Sequence, residues 1–469
     1  MPLSCAPVKA DDLFSKPLRS LDELADLSAS QLLVISFVGL VTIGWVGFLI
    51  LPGLYEGAPL GWVDALFIST SAVCVTGLST IDVSNVLSFW GELWLVLLIQ
   101  AGGLGILTFA AMVVAAAGRR SGLDVEEAAG GFSSVLLNGT PRQMLRTILG
   151  VTIAVEAVGA LLLCLSWWGE FGFMHSLWLA VFHSVSAFCN AGFSLFSDNL
   201  MGQRTHPFVL LVIGALIVGG GIGFPVIQDV RFRLRKRQRR LTTHTRVVLT
   251  ATAVLLLGGA GFFLFFEWSR ELAGLAFVDR VVNALFMSIT PRTAGFNSVD
   301  YDGITNASLF LTFALMWIGG GPASTAGGAK VTTAALLALV LWARLRGDVH
   351  VSVAGRTVPG ETVNRATGLA VGMTLILLVF LTLMVAFEPA ISVDAERAQL
   401  VRLVFEVQSA LSTVGLSMDL TPTLANGSKL TLVGVMLLGR VGPLAVLGAM
   451  ALRSQRTSFR YAHEDVLIG

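Results

Sequence analysis

Charge is scarce in this 469-residue chain: 13% of residues are Asp, Glu, Lys or Arg, and 31 basic against 30 acidic side chains leave a formal net charge of +1. A soluble domain carries roughly a quarter charged residues, so an ordinary water-facing surface is excluded for most of the length. Cysteine is nearly absent, and Cys5, Cys74, Cys164 and Cys189 show no metal-ligand spacing. Of the six histidines, His175 and His183 lie close together but lack a spaced metal partner. Paired intramembrane carboxylates are missing too; Glu156 is isolated, and Glu406 reads as a hydrogen-bonding partner of nearby backbone. These absences argue against a metal or membrane enzyme, which stays only as a last reading. No Gly-Lys-Ser/Thr follows a strand, so nucleotide binding by this chain is excluded as well. The start lacks a basic segment ahead of an early apolar core, so it is not a secretory signal.

What remains is apolar: 55% of residues are hydrophobic and mean hydropathy is +0.79. A helix needs about 20 apolar residues to cross a bilayer. Eight stretches approach that length: Gln31–Leu51, Phe89–Ala117, Leu145–Trp167, Pro207–Val230, Val247–Phe266, Leu309–Leu341 (interrupted), Thr367–Val385 and Leu430–Leu452. Basic residues follow every second one. They are Arg119 and Arg120; Arg231, Arg233, Arg235, Lys236, Arg237, Arg239, Arg240 and Arg246; Arg344 and Arg346; and Arg453 and Arg456. The positive-inside rule places all of them, and both termini, in the cytoplasm. Between apolar spans such a cluster sets topology or meets lipid, not nucleic acid.

Between paired spans lie four short segments ending in glycine: 65–77, 180–192, 284–295 and 403–415. Phe67, Phe182 and Phe405 stand ten residues before their glycines, and Phe286 nine before Gly295. Each segment is too short to span and too apolar for a surface loop. A short helix entering and an extended strand returning fits, because irregular backbone at membrane depth must be buried in protein or line water. The expected fold is therefore an all-α integral membrane protein of four membrane–pore-loop–membrane repeats, eight transmembrane helices around one central pore. The units are 1–30 (cytoplasmic arm), 31–118, 119–244, 245–365, 366–452 and 453–469 (cytoplasmic tail).

Backbone carbonyls can replace the hydration shell of a monovalent cation without fixed charge, and glycine lets successive carbonyls aim inward. The candidate filter strands are Val75-Thr76-Gly77, Asn190-Ala191-Gly192, Thr293-Ala294-Gly295 and Thr413-Val414-Gly415. A single glycine would mean no more than a bend; four in register point to a filter. Asp82, Asp198, Asp300 and Asp419 follow these glycines by four to six residues. They read either as an outer vestibule that concentrates cations or as caps of the following helices.

These motifs resemble the Trk/Ktr/HKT superfamily of potassium transporters, most closely the KtrB-type membrane subunits of Ktr systems. Besides the filter strands, the resemblance rests on Gly102-Gly103-Leu104-Gly105, Gly219-Gly220-Gly221-Ile222-Gly223-Phe224-Pro225, Gly439-Arg440-Val441-Gly442-Pro443 and the ending Val466-Leu467-Ile468-Gly469. It covers about Gln31 to the C-terminus. It implies one pore per subunit, a homodimer in the cell membrane, and a cytoplasmic KtrA-like ring carrying ATP or ADP, with no cofactor in this chain itself. Potassium is the implied cargo and sodium a candidate activator. Relatives with serine at the first filter glycine commonly carry sodium; Gly77 here favours potassium, with a sodium-conducting or non-selective cation transporter as the alternative and a membrane enzyme only as a third reading behind these.

The sixth span is broken by Gly319, Gly320, Gly321, Pro322, Ala323, Ser324, Thr325, Ala326, Gly327, Gly328, Ala329 and Lys330. Glycine and proline unwind a helix there, and the family places a pore-blocking intramembrane loop at this point. Arg440 falls in the last span, where a guanidinium must face a cavity or partner. It reads as an electrostatic barrier to cations, with a structural salt bridge or helix cap as the alternative, and Lys330 in a similar role. Arg292, ahead of the third strand, reads as a brace on neighbouring filter carbonyls.

Overall fold

The computed structural model describes residues 29–117, 141–235, 240–348, 350–353, 355–388 and 393–442. The expected arm up to residue 28 with Cys5, then Arg119, Arg120, Lys236, Arg237 and Arg239, lie outside these residues. So does everything from Pro443 onward, with Arg453, Arg456 and the Val466–Gly469 ending. The described chain is helical, and its one sheet is a hairpin of β1 (Ser352–Val353) with β2 (Arg356–Thr357).

Helices recur in sets of three. A long outer helix comes first, then a shorter helix ending at a glycine strand, then a second flanking helix. The first set is α1 (Ala29–Ile50), α2 (Trp62–Cys74) and α3 (Phe89–Ala117). The second is α4 (Pro141–Phe171), α5 (Phe173–Cys189) and α6 (Pro207–Gly221), continued by α7 (Phe224–Leu234). The third is α8 (Thr243–Glu267), α9 (Phe277–Ile289) and α10 (Asn306–Trp317), with α11 (Val331–Leu345) beyond a break. The fourth is α12 (Gly360–Phe387), α13 (Val393–Leu411) and α14 (Asn426–Val441).

The four outer helices are long and apolar enough to cross a membrane, with mean hydropathy of 2.2 to 2.7. Their outward faces show why: Ile43, Val158, Leu257 and Val379 are all more than half exposed, a pattern suited to lipid rather than water. Polar residues are drawn inward instead. Phe67, Phe182, Phe286 and Phe405, the four residues at matched distances from the glycines, are at most 1% exposed and anchor the shorter helices in the core.

The fourth apolar stretch differs from the continuous span expected over Pro207–Val230. It bends by 98° between α6 and α7. Gly223 takes φ +98° and Pro225 follows at the start of α7; proline has no amide to continue the α6 ladder. The freed Phe224 amide donates to the Ala323 carbonyl at 2.9 Å, which fastens the bend to the broken sixth span. That span is interrupted where its glycines stand, between Trp317 and Val331.

Candidate functional site

Each short helix delivers its chain to the centre of the molecule with the same backbone device. Val75, Asn190, Thr293 and Thr413 adopt φ of 55°, 61°, 71° and 49°, and two residues later Gly77, Gly192, Gly295 and Gly415 adopt 100°, 71°, 79° and 93°. Left-handed backbone at alternate residues costs a non-glycine residue roughly 1–2 kcal/mol, so it persists only where surroundings impose it.

The four glycines close a ring. A Cβ added at Gly192 would meet the Ala294 carbonyl oxygen at 2.8 Å and the Gly295 Cα at 2.9 Å; at Gly295 it would meet the Val414 oxygen at 2.5 Å and the Gly415 Cα at 3.1 Å. At Gly415 it would strike the Thr76 oxygen, with the Gly77 Cα at 3.0 Å, and at Gly77 the Ala191 oxygen, with the Gly192 Cα at 3.1 Å. Each strand therefore touches the next in chain order, and the fourth touches the first. Strands one and three are opposite, as are two and four. Glycine is required here twice over, for φ and for room.

Hydroxyl groups behind the ring brace it, a feature not read from the sequence. Ser71 and Ser409 accept from the Gly77 and Gly415 amides at 3.0 Å, whereas Ser186 and Thr290 donate to the Phe193 and Phe296 carbonyls at 2.8 and 2.7 Å. The signal was present: a Ser or Thr stands six residues before three of the glycines and five before Gly295. The Asn190 amide, oriented to donate, reaches the Ile217 and Ala187 carbonyls, both at 3.1 Å. By contrast, the hydroxyls of Thr76, Thr293 and Thr413 are buried and have no hydrogen-bond partner among the described residues.

Outside the ring lies a cavity of about 240 Å³ lined by Gly77, Gly192 and Gly415 together with Asp82, Asp198 and Asp419. Asp300 does not line it; its carboxylate accepts from the Asp302 amide at 2.9 Å, and Asp302 pairs with Arg402 at 2.6 Å. Asp82 also caps a short helix through the Ser84 amide at 3.0 Å, so the same residue lines the cavity and caps a helix. Burial opposes the Asp82 carboxylate, but hydrogen bonds from Ser84, Ser197 and Asn85 outweigh it and hold its pKa below the ordinary value. Asp419 moves the other way: burial, then the negative charge of Asp300 and Asp302, raises it despite Arg402.

Beneath the ring the broken sixth span folds into an irregular loop packed against the approaches to strands two and four. Gly319 and Val331 amides bond the Ala329 and Gly320 carbonyls at 2.7 and 2.9 Å, closing the loop at its neck. The Gly321 amide reaches the Gly221 carbonyl at 2.7 Å, and the Thr325 hydroxyl reaches the Phe188 carbonyl at 3.0 Å. Gly327 lies against Thr413, where a Cβ would strike the Thr413 hydroxyl. Lys330 folds back and donates to the Ala326 carbonyl at 2.7 Å. Arg440, 3% exposed, donates to the loop through the Thr325 carbonyl and to α3 through the Gly102 carbonyl at 3.1 Å. Arg292 does not reach the ring; its nearest acceptors are Gly319 O and Thr252 Oγ1, both at 3.5 Å. Glu406 serves nearby backbone as expected, at Met418, and its carboxylate also accepts from the Ser417 and Thr421 hydroxyls.

The family model for TrkH, described as a cation transport protein, matches residues 28–461. The potassium/sodium uptake protein NtpJ of Enterococcus hirae is 35% identical, over 94% of this chain and 98% of its own. The Ktr system potassium uptake protein B of Bacillus subtilis is 36% identical, over 94% and 96%. Among solved structures, the potassium transporter TrkH from Vibrio parahaemolyticus superposes with a TM-score of 0.70 at 19% identity, covering 93% of this chain and 86% of that one.

Proposed function

This chain belongs to the TrkH family of cation transport proteins, and from that premise we propose that it carries potassium into the cell as the membrane subunit of a Ktr-type uptake system. The observation that carries the reading is the closed ring of Gly77, Gly192, Gly295 and Gly415, each against the carbonyl preceding the next. Carbonyls of Val75-Thr76-Gly77, Asn190-Ala191-Gly192, Thr293-Ala294-Gly295 and Thr413-Val414-Gly415 replace the water around the ion. The unpartnered hydroxyls of Thr76, Thr293 and Thr413 are free to add oxygen ligands. Asp82, Asp198 and Asp419 supply the negative potential of the outer cavity, with Asp300 contributing from beside it.

The gate in this proposal is the loop from Gly319 to Lys330. Arg440 latches it: one guanidinium holds both the loop and α3, and its charge lies on the cation's path. A cytoplasmic nucleotide-binding ring controls the latch, and two copies of this chain assemble in the cytoplasmic membrane with both termini inside. The relatives named as Ktr system proteins support a multi-component system.

A second reading has its own support, since one relative is named for potassium and sodium together. Both are tested by cation flux into liposomes containing the full chain, wild type beside Gly77→Ser. Potassium flux well above sodium, with a ratio that falls in Gly77→Ser, supports the potassium filter. Equal flux of both ions in the wild type favours the second reading. No change of ratio in Gly77→Ser overturns the glycine ring as the selecting element.

A further inference from the structure

The residue directly after each matched phenylalanine is Ile68, His183, Met287 or Glu406 in the four repeats. All four side chains are fully buried behind the ring. Two of these equivalent positions are apolar and two are strongly polar, and the polar pair belongs to strands two and four, which are opposite in the ring.

Both polar residues grip the same place on their strand. His183 places Nε2 at 2.9 Å from Ser194 Oγ, with Nδ1 at 2.8 Å from the Leu179 carbonyl. The carbonyl can only accept, so Nδ1 carries a proton. Glu406 accepts from Ser417 with one carboxylate oxygen and from Thr421 with the other at 2.9 Å. Ser194 and Ser417 each stand two residues beyond their ring glycines. The matching Ser79 of repeat one turns to its own loop, donating to the Ile81 carbonyl at 2.6 Å. In repeat three the position holds Asn297, whose amide is caught by Asn199 at 3.2 Å.

We infer that His183 and Glu406 are positioning residues for ion selection, fixing the outer ends of two opposite strands from the position that Ile68 and Met287 fill with apolar packing in the other two. The inference rests on the filter reading above. A buried polar side chain is retained at a desolvation cost, and here the hydrogen bonds that offset it run to the ring strands. Opposite strands held at fixed separation set the width across which carbonyls meet the ion.

The test compares potassium-to-sodium flux ratios of full-length variants in liposomes. Glu406→Ala and His183→Ala each lower the ratio about tenfold, the size expected when a hydrogen bond to a charged or strongly polar group is lost. Glu406→Gln and His183→Gln keep a group within reach of the serines and hold the ratio within about twofold of wild type. Ile68→Ala and Met287→Ala lower thermal stability but leave the ratio in place. Should the alanine variants fail to assemble, Glu406→Leu, which fills the space without acceptors, gives the same comparison. Equal falls across all four positions mean packing alone and overturn the inference. So does an unchanged ratio in Glu406→Ala or Glu406→Leu while Gly415→Ala lowers it. If Gly415→Ala also leaves the ratio unchanged, the filter reading itself has failed and takes the inference with it.

Discussion

Replacing Gly192 with alanine separates the two demands placed on the ring glycines. Its φ of +71° lies in the left-handed region, which costs an alanine roughly 1–2 kcal/mol. The new Cβ would sit 2.8 Å from the Ala294 oxygen, 2.9 Å from the Gly295 Cα and 3.1 Å from the Gly295 carbonyl carbon. All three are backbone atoms of the next strand, so no side chain can swing aside. Relief requires that strand to retreat by roughly half an ångström, because cores transmit strain rather than absorb it. A retreat of that size at one of four strands reshapes the site for a dehydrated ion. The expected outcome is a fall of about tenfold in the potassium-to-sodium flux ratio, equivalent to about 1.4 kcal/mol of lost discrimination, and a modest loss of thermal stability. Gly415→Ala is more severe, since its Cβ would strike the Thr76 oxygen more closely. The assay is flux into liposomes with the two ions run in parallel, on protein that elutes and melts as a single species. A folded Gly192→Ala protein with wild-type selectivity refutes the claim that ring closure sets the ion site.

Arg440→Ala removes the link between the Thr325 and Gly102 carbonyls and raises potassium flux severalfold; slower flux with intact assembly shows instead that the arginine only holds the fold. Arg440→Lys keeps the charge but loses the two-armed fork, so raised flux in that variant assigns the effect to the latch and unchanged flux assigns it to charge. Deleting Pro322–Gly328 opens the pathway and raises flux without changing the ion ratio, and unchanged flux in a folded protein sinks the loop as gate. Asp419 is raised by burial and by Asp300 and Asp302, so on acidification it loses its charge before an ordinary aspartate, while Asp82, held low by Ser84, Ser197 and Asn85 against burial, keeps its charge longest. Uptake from dilute potassium should therefore begin to fall above the ordinary aspartate range of about 3.9, and Asp419→Asn should remove that first step; a pH profile identical in Asp419→Asn sinks the assignment.

Periodicity made the helices and the repeated glycines legible, because lipid demands long apolar runs and irregular membrane backbone demands glycine. The matched phenylalanines exposed the register of all four repeats, including the single-residue shortening before Gly295. The 98° bend was not legible as a bend: Pro207–Val230 is apolar at its start and glycine-rich in the middle, and its course is set by the Ala323 carbonyl, which lies far away in sequence. Glu406 is legible as a partner of nearby backbone, which it meets at Met418; its hydroxyl partners Ser417 and Thr421 are not, because they become neighbours only when the strand folds back beside its own helix. Arg292 was placed on the ring because it precedes Thr293; the loop between α10 and α11 draws it away, towards Gly319 and Thr252. Sequence distance locates what a chain does along itself, whereas the bend and Arg292 are fixed by what comes to them from elsewhere.

The loop and the ring are not independent parts. Gly327 has no Cβ and abuts the Thr413 hydroxyl, and Gly328 stands against Ser412; both contacts fall on the segment that leads into strand four. Thr325 is at once the loop's anchor on the Phe188 carbonyl, behind strand two, and the acceptor for Arg440. The closed loop is thus tied to strands two and four, the same opposite pair that His183 and Glu406 hold from behind. A loop that leaves the pathway releases Thr413 from one side while Glu406 still holds the far end of that strand through Ser417. On the proposed gating, opening would proceed without loss of the proposed ion site, since the strand stays fixed at its outer end when its inner end is freed. If that division of labour is right, deleting Pro322–Gly328 in a Glu406→Ala background costs selectivity beyond the product of the single changes, whereas the same deletion with Met287→Ala leaves the ion ratio where the deletion alone leaves it. Additive behaviour in the first pair would separate gate from ring and refute the coupling.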